Sequence, residues 1–164
     1  MTDARPDATV TFLFTDIEGS TRRWENEPEA MAAALAYHDG LLRAAVEARG
    51  GHVFKTVGDA IFAVFHESGS AVRAAVEAQS DLAAADWPAF GADFAPLRVR
   101  IAVHAGSALR RDGDFFGPTL NRIARLLAAG HGGQVLCSEA EHALAAVDPP
   151  EGVAFHDLGE HRLR

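Results

Sequence analysis

A chain of 164 residues suits one domain with one core and is short for two. Its 48% hydrophobic and 23% charged residues fit a water-soluble globular protein, and a net charge of −8 argues against a nucleic-acid surface, which needs clustered Lys and Arg. The polar start carries no secretory signal, and no apolar run approaches the roughly 20 residues that cross a bilayer, so no membrane partner and a cytoplasmic location are expected.

In chain order, residues 1–8 read as a disordered or flexible N-terminus and 9–164 as one domain. Residues 9–15, β-branched and aromatic, predict a buried strand, after which Asp16-Ile-Glu-Gly-Ser-Thr turns toward helix. An Ala- and Leu-rich helix is expected from about Pro28 to Arg49, stopped by Gly50-Gly51. The short apolar runs 52–56 and 60–65, separated by Val57-Gly-Asp59, predict an antiparallel hairpin. A second Ala-rich helix follows over 68–85, then a Pro/Gly/Asp connection over 86–96.

Leu97 to His104 alternates as a half-buried strand, and Asp112-Gly113 is a turn signal. A third helix is expected over 119–129 behind Gly117-Pro118, with Leu120, Ile123, Ala124 and Leu127 on its packed side and Arg122 toward solvent. Residues 134–137 suggest a short strand, and Ser138 with Glu141 three residues on suggests a capped short helix. Val153 onward suggests a last strand or hairpin. The order points to an α+β fold with a ferredoxin-like βαββαβ core and C-terminal additions.

The lone cysteine, Cys137, reads as a small buried strand residue, and His104 as a hydrogen-bonded structural one. Of the 15 basic residues, 14 are Arg, and the sole Lys stands at position 55. An ammonium and a guanidinium do different work, so that position asks for the compact charge.

Asp16 after the first strand and Asp59 inside the hairpin fall on neighbouring strands of such a sheet. Two converging carboxylates are the hard oxygen ligands that Mg²⁺ or Mn²⁺ on a phosphate needs. Gly19-Ser20-Thr21 leads into helix, where free backbone amides hold phosphate oxygens, and no GxxxxGK[ST] loop is present to do so instead. Asn121 and Arg125, four apart on one helix, share a face that suits orienting a sugar and neutralising a pentavalent phosphorus. Taken singly, each of these is equally a cap, a turn or a solvated helix face.

Three stretches together are more specific: Phe14-Thr-Asp-Ile-Glu-Gly-Ser-Thr, Gly51-His-Val-Phe-Lys-Thr-Val-Gly-Asp and Asp114-Phe-Phe-Gly-Pro-Thr-Leu-Asn-Arg-Ile-Ala-Arg. In this order they resemble the signature segments of the class III adenylate and guanylate cyclase catalytic domain, most closely its actinobacterial members, over essentially the whole chain. The resemblance implies a palm-type domain acting as a head-to-tail homodimer that turns ATP into cyclic AMP and pyrophosphate with two divalent metal ions, Mg²⁺ or Mn²⁺. It implies metal ligation by Asp16, Asp59 and the Ile17 carbonyl, adenine reading by Lys55 and Asp114, and ribose and transition-state contacts from Asn121 and Arg125. Arg110 and Arg164 fall near positions that hold the triphosphate. Leu120 and Ile123 depart from the commoner Val and Ala, at apolar packing positions. A Lys at 55 favours ATP, since adenine pairs an acceptor with a donor and guanine reverses them. The alternatives are a silent nucleotide-binding regulatory domain of the same fold, a guanylate cyclase, and a diguanylate-forming relative, whose Gly-Gly-Asp/Glu-Glu-Phe turn is not matched by Val57-Gly-Asp-Ala. Further regulatory domains in a longer parent chain are also expected.

Overall fold

The computed structural model describes residues 9–164, so the expectation for residues 1–8 lies outside the described residues. The elements are β1 (Val10–Ile17), α1 (Ser20–Asn26), α2 (Pro28–Ala48), β2 (His52–Val57), β3 (Ala60–Phe65), α3 (Ser68–Ala84), β4 (Val99–Gly106), β5 (Leu109–Arg111), β6 (Asp114–Phe116), α4 (Pro118–Ala128), β7 (Val135–Cys137) and α5 (Glu139–Ala145). The main sheet runs β2-β3-β1-β4-β7. Its first four strands are antiparallel and β7 joins β4 in parallel. With α2 and α3 as the two crossovers, this is the expected ferredoxin-like α+β core with additions beyond β4.

Alternation along β1 builds two cores. Leu13 and Ile17 face a layer with Met31, Ala34 and Leu42 of α2 and Ala71, Val72 and Ala75 of α3. Phe12 and Phe14 face the other side, against Ala102 and the α4 residues Ile123 and Leu127. Both hairpin turns follow from their residues. Gly58 supplies the left-handed φ (57°) of a two-residue loop between β2 and β3, and Asp112-Gly113 supplies two (51° and 78°) between β5 and β6.

Several expectations are corrected. β1 runs two residues further than its apolar run, so Asp16 lies within the strand, carried there by its ladder with β4. β4 likewise runs from Val99 to Gly106, later at both ends than expected. The 86–96 connection contains a 3₁₀ turn, Trp87–Phe90, because Trp87 is buried in the core and its indole donates to the Leu82 carbonyl. In α4, Ala124 is exposed and Leu126 is half-buried on the aromatic core in its place. No strand forms after Val153: Val153 and Phe155 pack on the core, but Leu158 is exposed and the stretch 153–164 is irregular. No helix among the described residues is long and apolar enough to cross a membrane.

Candidate active site

The acidic end of the sheet is set by register. Asp16, next to last in β1, stands opposite Arg100 in β4. The guanidinium donates through Nε to Oδ1 and through Nη2 to Oδ2, both at 2.6 Å, a bidentate geometry that fixes the carboxylate plane. The hydrogen bonds to Asp16 raise the pKa of Arg100 further, and the charges of Asp16, Glu18 and Asp59 act in the same direction against desolvation. Asp59, in the β2–β3 turn, is therefore close enough to Arg100 for its charge to be felt. By the β1–β3 register, with Thr15 opposite Ile61, the turn that carries Asp59 lies at the same end of the sheet as Asp16. Sequence reasoning passed over Arg100, which the alternation Leu97-Arg-Val-Arg-Ile puts on the face opposite the core residues Leu97, Val99 and Ile101.

The residues present fit a divalent cation. The Asp16 carboxylate and the Ile17 backbone lie at the end of β1 with the Asp59 turn at the same sheet end, and the Arg100 guanidinium seated on Asp16 shows that this place accepts positive charge. Among the described residues no group of three or more His, Cys, Asp or Glu gathers as a metal cluster. Gly19, with φ 69°, precedes α1, and Ser20 and Thr21 form its first turn beside this end of the sheet.

Lys55 and Asp114 come together through their neighbours. A register shift between Val53 and Lys55 marks a bulge in β2 that re-aims its side chains. Phe54 then stacks edge-on against Phe115 of β6, centroids 4.8 Å apart, and Phe115 meets Phe12 at 5.2 Å. The adjoining polar residues close to 3.1 Å, Lys55 Nζ donating to Asp114 Oδ2. Partial burial pushes the Asp114 carboxyl up, but the Phe115 backbone N–H at 2.7 Å and the Lys55 ammonium hold it below the usual carboxylate range.

Asn121 and Arg125 occupy the outer face of α4 and are exposed. With Pro118, Arg122 and Leu163 they line a cleft of about 220 Å³ that contains none of the site's carboxylates. Arg122 is exposed, as expected, and adds a second cation to this cleft. Arg110 on β5 is exposed, its guanidinium 6.0 Å from the Phe115 ring centroid, and Arg164 is exposed at the end of the chain. One chain thus presents an acidic end, a Lys–Asp pair and a cationic helix face as three separate groupings.

Residues 2–164 match the adenylate and guanylate cyclase catalytic domain. The chain belongs to that family. An uncharacterized protein of Mycobacterium tuberculosis is 37% identical over 161 residues, covering 97% of this chain and 53% of the relative. Receptor-type adenylate cyclase A of Leishmania donovani is 32% identical over 203 residues, covering 99% of this chain and 15% of the relative. The chain therefore spans about half the length of the first of these curated relatives and less of the second. An adenylate cyclase from Trypanosoma brucei, solved in its monomeric state, superposes with a TM-score of 0.86 at 28% identity, covering 98% of this chain and 85% of that one. An adenylate/guanylate cyclase/hydrolase from Silicibacter pomeroyi gives 0.80 at 26% identity, covering 96% and 89%.

Proposed function

We propose that this cyclase domain converts ATP to 3′,5′-cyclic AMP and pyrophosphate in a head-to-tail homodimer. The observation that carries the reading is the Lys55–Asp114 pair, the chain's sole lysine, within β2, held 3.1 Å from an acid at the start of β6. An ammonium donates to an adenine ring nitrogen while a carboxylate accepts from the exocyclic amine, the pattern of adenine and the reverse of guanine.

Asp16, Asp59 and the Ile17 carbonyl would hold two divalent cations, Mg²⁺ or Mn²⁺, which supply acidification of the ribose 3′-hydroxyl and neutralisation of the triphosphate. Arg100 fixes the Asp16 carboxylate in plane through two hydrogen bonds before substrate arrives. The Asn121 amide orients the ribose, and the Arg125 guanidinium stabilises negative charge as the 3′-oxygen bonds to the α-phosphorus and the bond to the leaving pyrophosphate breaks. Arg110, Arg164 and the amides of Gly19, Ser20 and Thr21 serve the triphosphate.

The homodimer is supported by what one chain leaves apart. The α4 cleft holds Asn121 and Arg125 without a carboxylate, and the hairpins expose Val57, Leu109 and Phe116 as apolar contact surface. A two-fold arrangement would set the acidic end of one copy against the Lys–Asp pair and α4 of the other, giving two equal sites. The test incubates concentrated protein with ATP or GTP and Mn²⁺. Cyclic AMP and pyrophosphate from ATP, little product from GTP, and none from Asp59→Ala are expected. ATP binding without product at any protein concentration would favour the silent regulatory domain.

A further inference from the structure

Three side-chain atoms at the acidic end are buried without a hydrogen-bond partner among the described residues: Thr15 Oγ1, His38 Nε2 and Asp59 Oδ2. They belong to one layer. Thr15 lies between Leu13 and Ile17 on the β1 face that α2 covers. His38 is fully buried on α2, one turn from Ala34 and from Leu42, which pack on that same face. Asp59 precedes β3, whose Ile61 stands opposite Thr15, and the Asp59 charge is felt at the His38 ring as well as at Arg100. Asp59 is half-buried, so Oδ2 is its inward oxygen.

Hydrogen-bond chemistry specifies what joins these atoms. Asp39 Oδ1 accepts from His38 Nδ1 at 2.8 Å, which places the ring proton on Nδ1. Nε2, buried and without a partner among the described residues, is the acceptor of a ring whose proton sits on Nδ1, and burial, which lowers the pKa of His38 against the pull of Asp39 and Asp59, favours that neutral form. Asp59 Oδ2 is also an acceptor, and two acceptors do not bond each other. Thr15 has a hydroxyl proton to give. One water meets all three needs, donating to His38 Nε2 and Asp59 Oδ2 and accepting from Thr15.

We propose that His38, oriented by Asp39, is a positioning residue for the carboxylate of Asp59, acting with Thr15 through one water held between the three side chains. The inference rests on the reading of Asp59 as a metal ligand. Groups that hold a ligating side chain from behind govern its aim, and their loss lowers metal affinity or activity roughly ten-fold or more. A His that merely filled the core would be replaced by Leu with no effect on the metal.

The test has a readout that needs neither metal nor turnover. In the metal-free full chain, ¹⁵N-resolved spectra of the histidine rings should show His38 as the Nδ1–H tautomer, and Asp59→Asn should move its Nε2 resonance. In the active protein, His38→Leu should raise the Mn²⁺ concentration for half-maximal rate about ten-fold while leaving the KM for ATP within about two-fold. Thr15→Val should raise the Mn²⁺ requirement less. Should His38→Leu fail to fold, His38→Gln and Thr15→Val probe the same water. An Nε2 resonance indifferent to Asp59→Asn, or an unchanged Mn²⁺ requirement in folded His38→Leu, would overturn the proposal. An inactive wild-type chain whose Nε2 still responds to Asp59→Asn would instead overturn the cyclase reading and leave the positioning network standing.

Discussion

Strand β1 has a carboxylate at each end, and the protein treats the two in opposite ways. Asp16, at the C-terminal end, is partly open and held by two guanidinium hydrogen bonds. Glu141, brought by α5 to the N-terminal end, is 0% exposed, accepts one hydrogen bond from Thr11 Oγ1 at 2.8 Å, and has no partner for its other oxygen among the described residues. Burial pushes the Glu141 carboxyl up to about 7, only partly offset by Thr11. At the open end the carboxylate is matched by a guanidinium. A carboxyl that only ties α5 to the sheet is dried out, and its charge is suppressed.

The largest effect should come from the open end. Asp16→Ala is expected to lower turnover roughly 100-fold or more, the scale of removing one preorganised electrostatic group, while the chain still folds. Retained turnover would erase the distinction between the two ends. At the closed end the effect is on stability and has a definite sign. The Glu141 carboxyl has an ordinary value of 4.5 and a folded value of about 7, so between those values the unfolded chain sheds a proton that the folded chain keeps. Stability is full below pH 4.5, falls as pH rises toward about 7, and levels off above it. Relative to Glu141→Gln, the loss is on the order of 3 kcal/mol, measured by denaturant unfolding across that range. A pH-independent difference would show that Glu141 is as well paired as Asp16. Smaller still, Thr11→Val removes the one hydrogen-bond partner of the Glu141 carboxyl among the described residues and should destabilise by about 1–3 kcal/mol. The loss should be greater at pH 8 than at pH 5, because the hydroxyl matters more to the ionised acid.

The acidic end was partly legible in the sequence and the closed end was not. Asp16 and Asp59 were marked by their places after a β-branched run and within a tight hairpin, features that local propensity encodes. Their convergence needed only the order of elements. Arg100 escaped because its role depends on standing opposite Asp16 across a ladder between residues 84 apart in sequence. Glu141 was read as half of a capping box. The Ser138 half is correct, its Oγ accepting from the Glu141 backbone N–H at 3.2 Å, but the carboxyl turns inward to Thr11, 130 residues away. The expected strand beyond Val153 failed for a related reason: two apolar residues found the core without a ladder to join. Lys55 and Asp114 were named from the motif resemblance, whereas the aromatic stack that closes them is a tertiary fact.

The claim on which the account turns is that the acidic end and the α4 face act across two copies of the chain. The direct measurement mixes two inactive variants, Asp59→Ala and Arg125→Ala, at high protein concentration with ATP and Mn²⁺. Each alone should make no cyclic AMP, and the equal mixture should recover about a quarter of wild-type activity, since half the dimers are mixed and each holds one intact site. A mixture as silent as its components, from variants shown to be folded, or full activity in Arg125→Ala alone, would contradict the shared site.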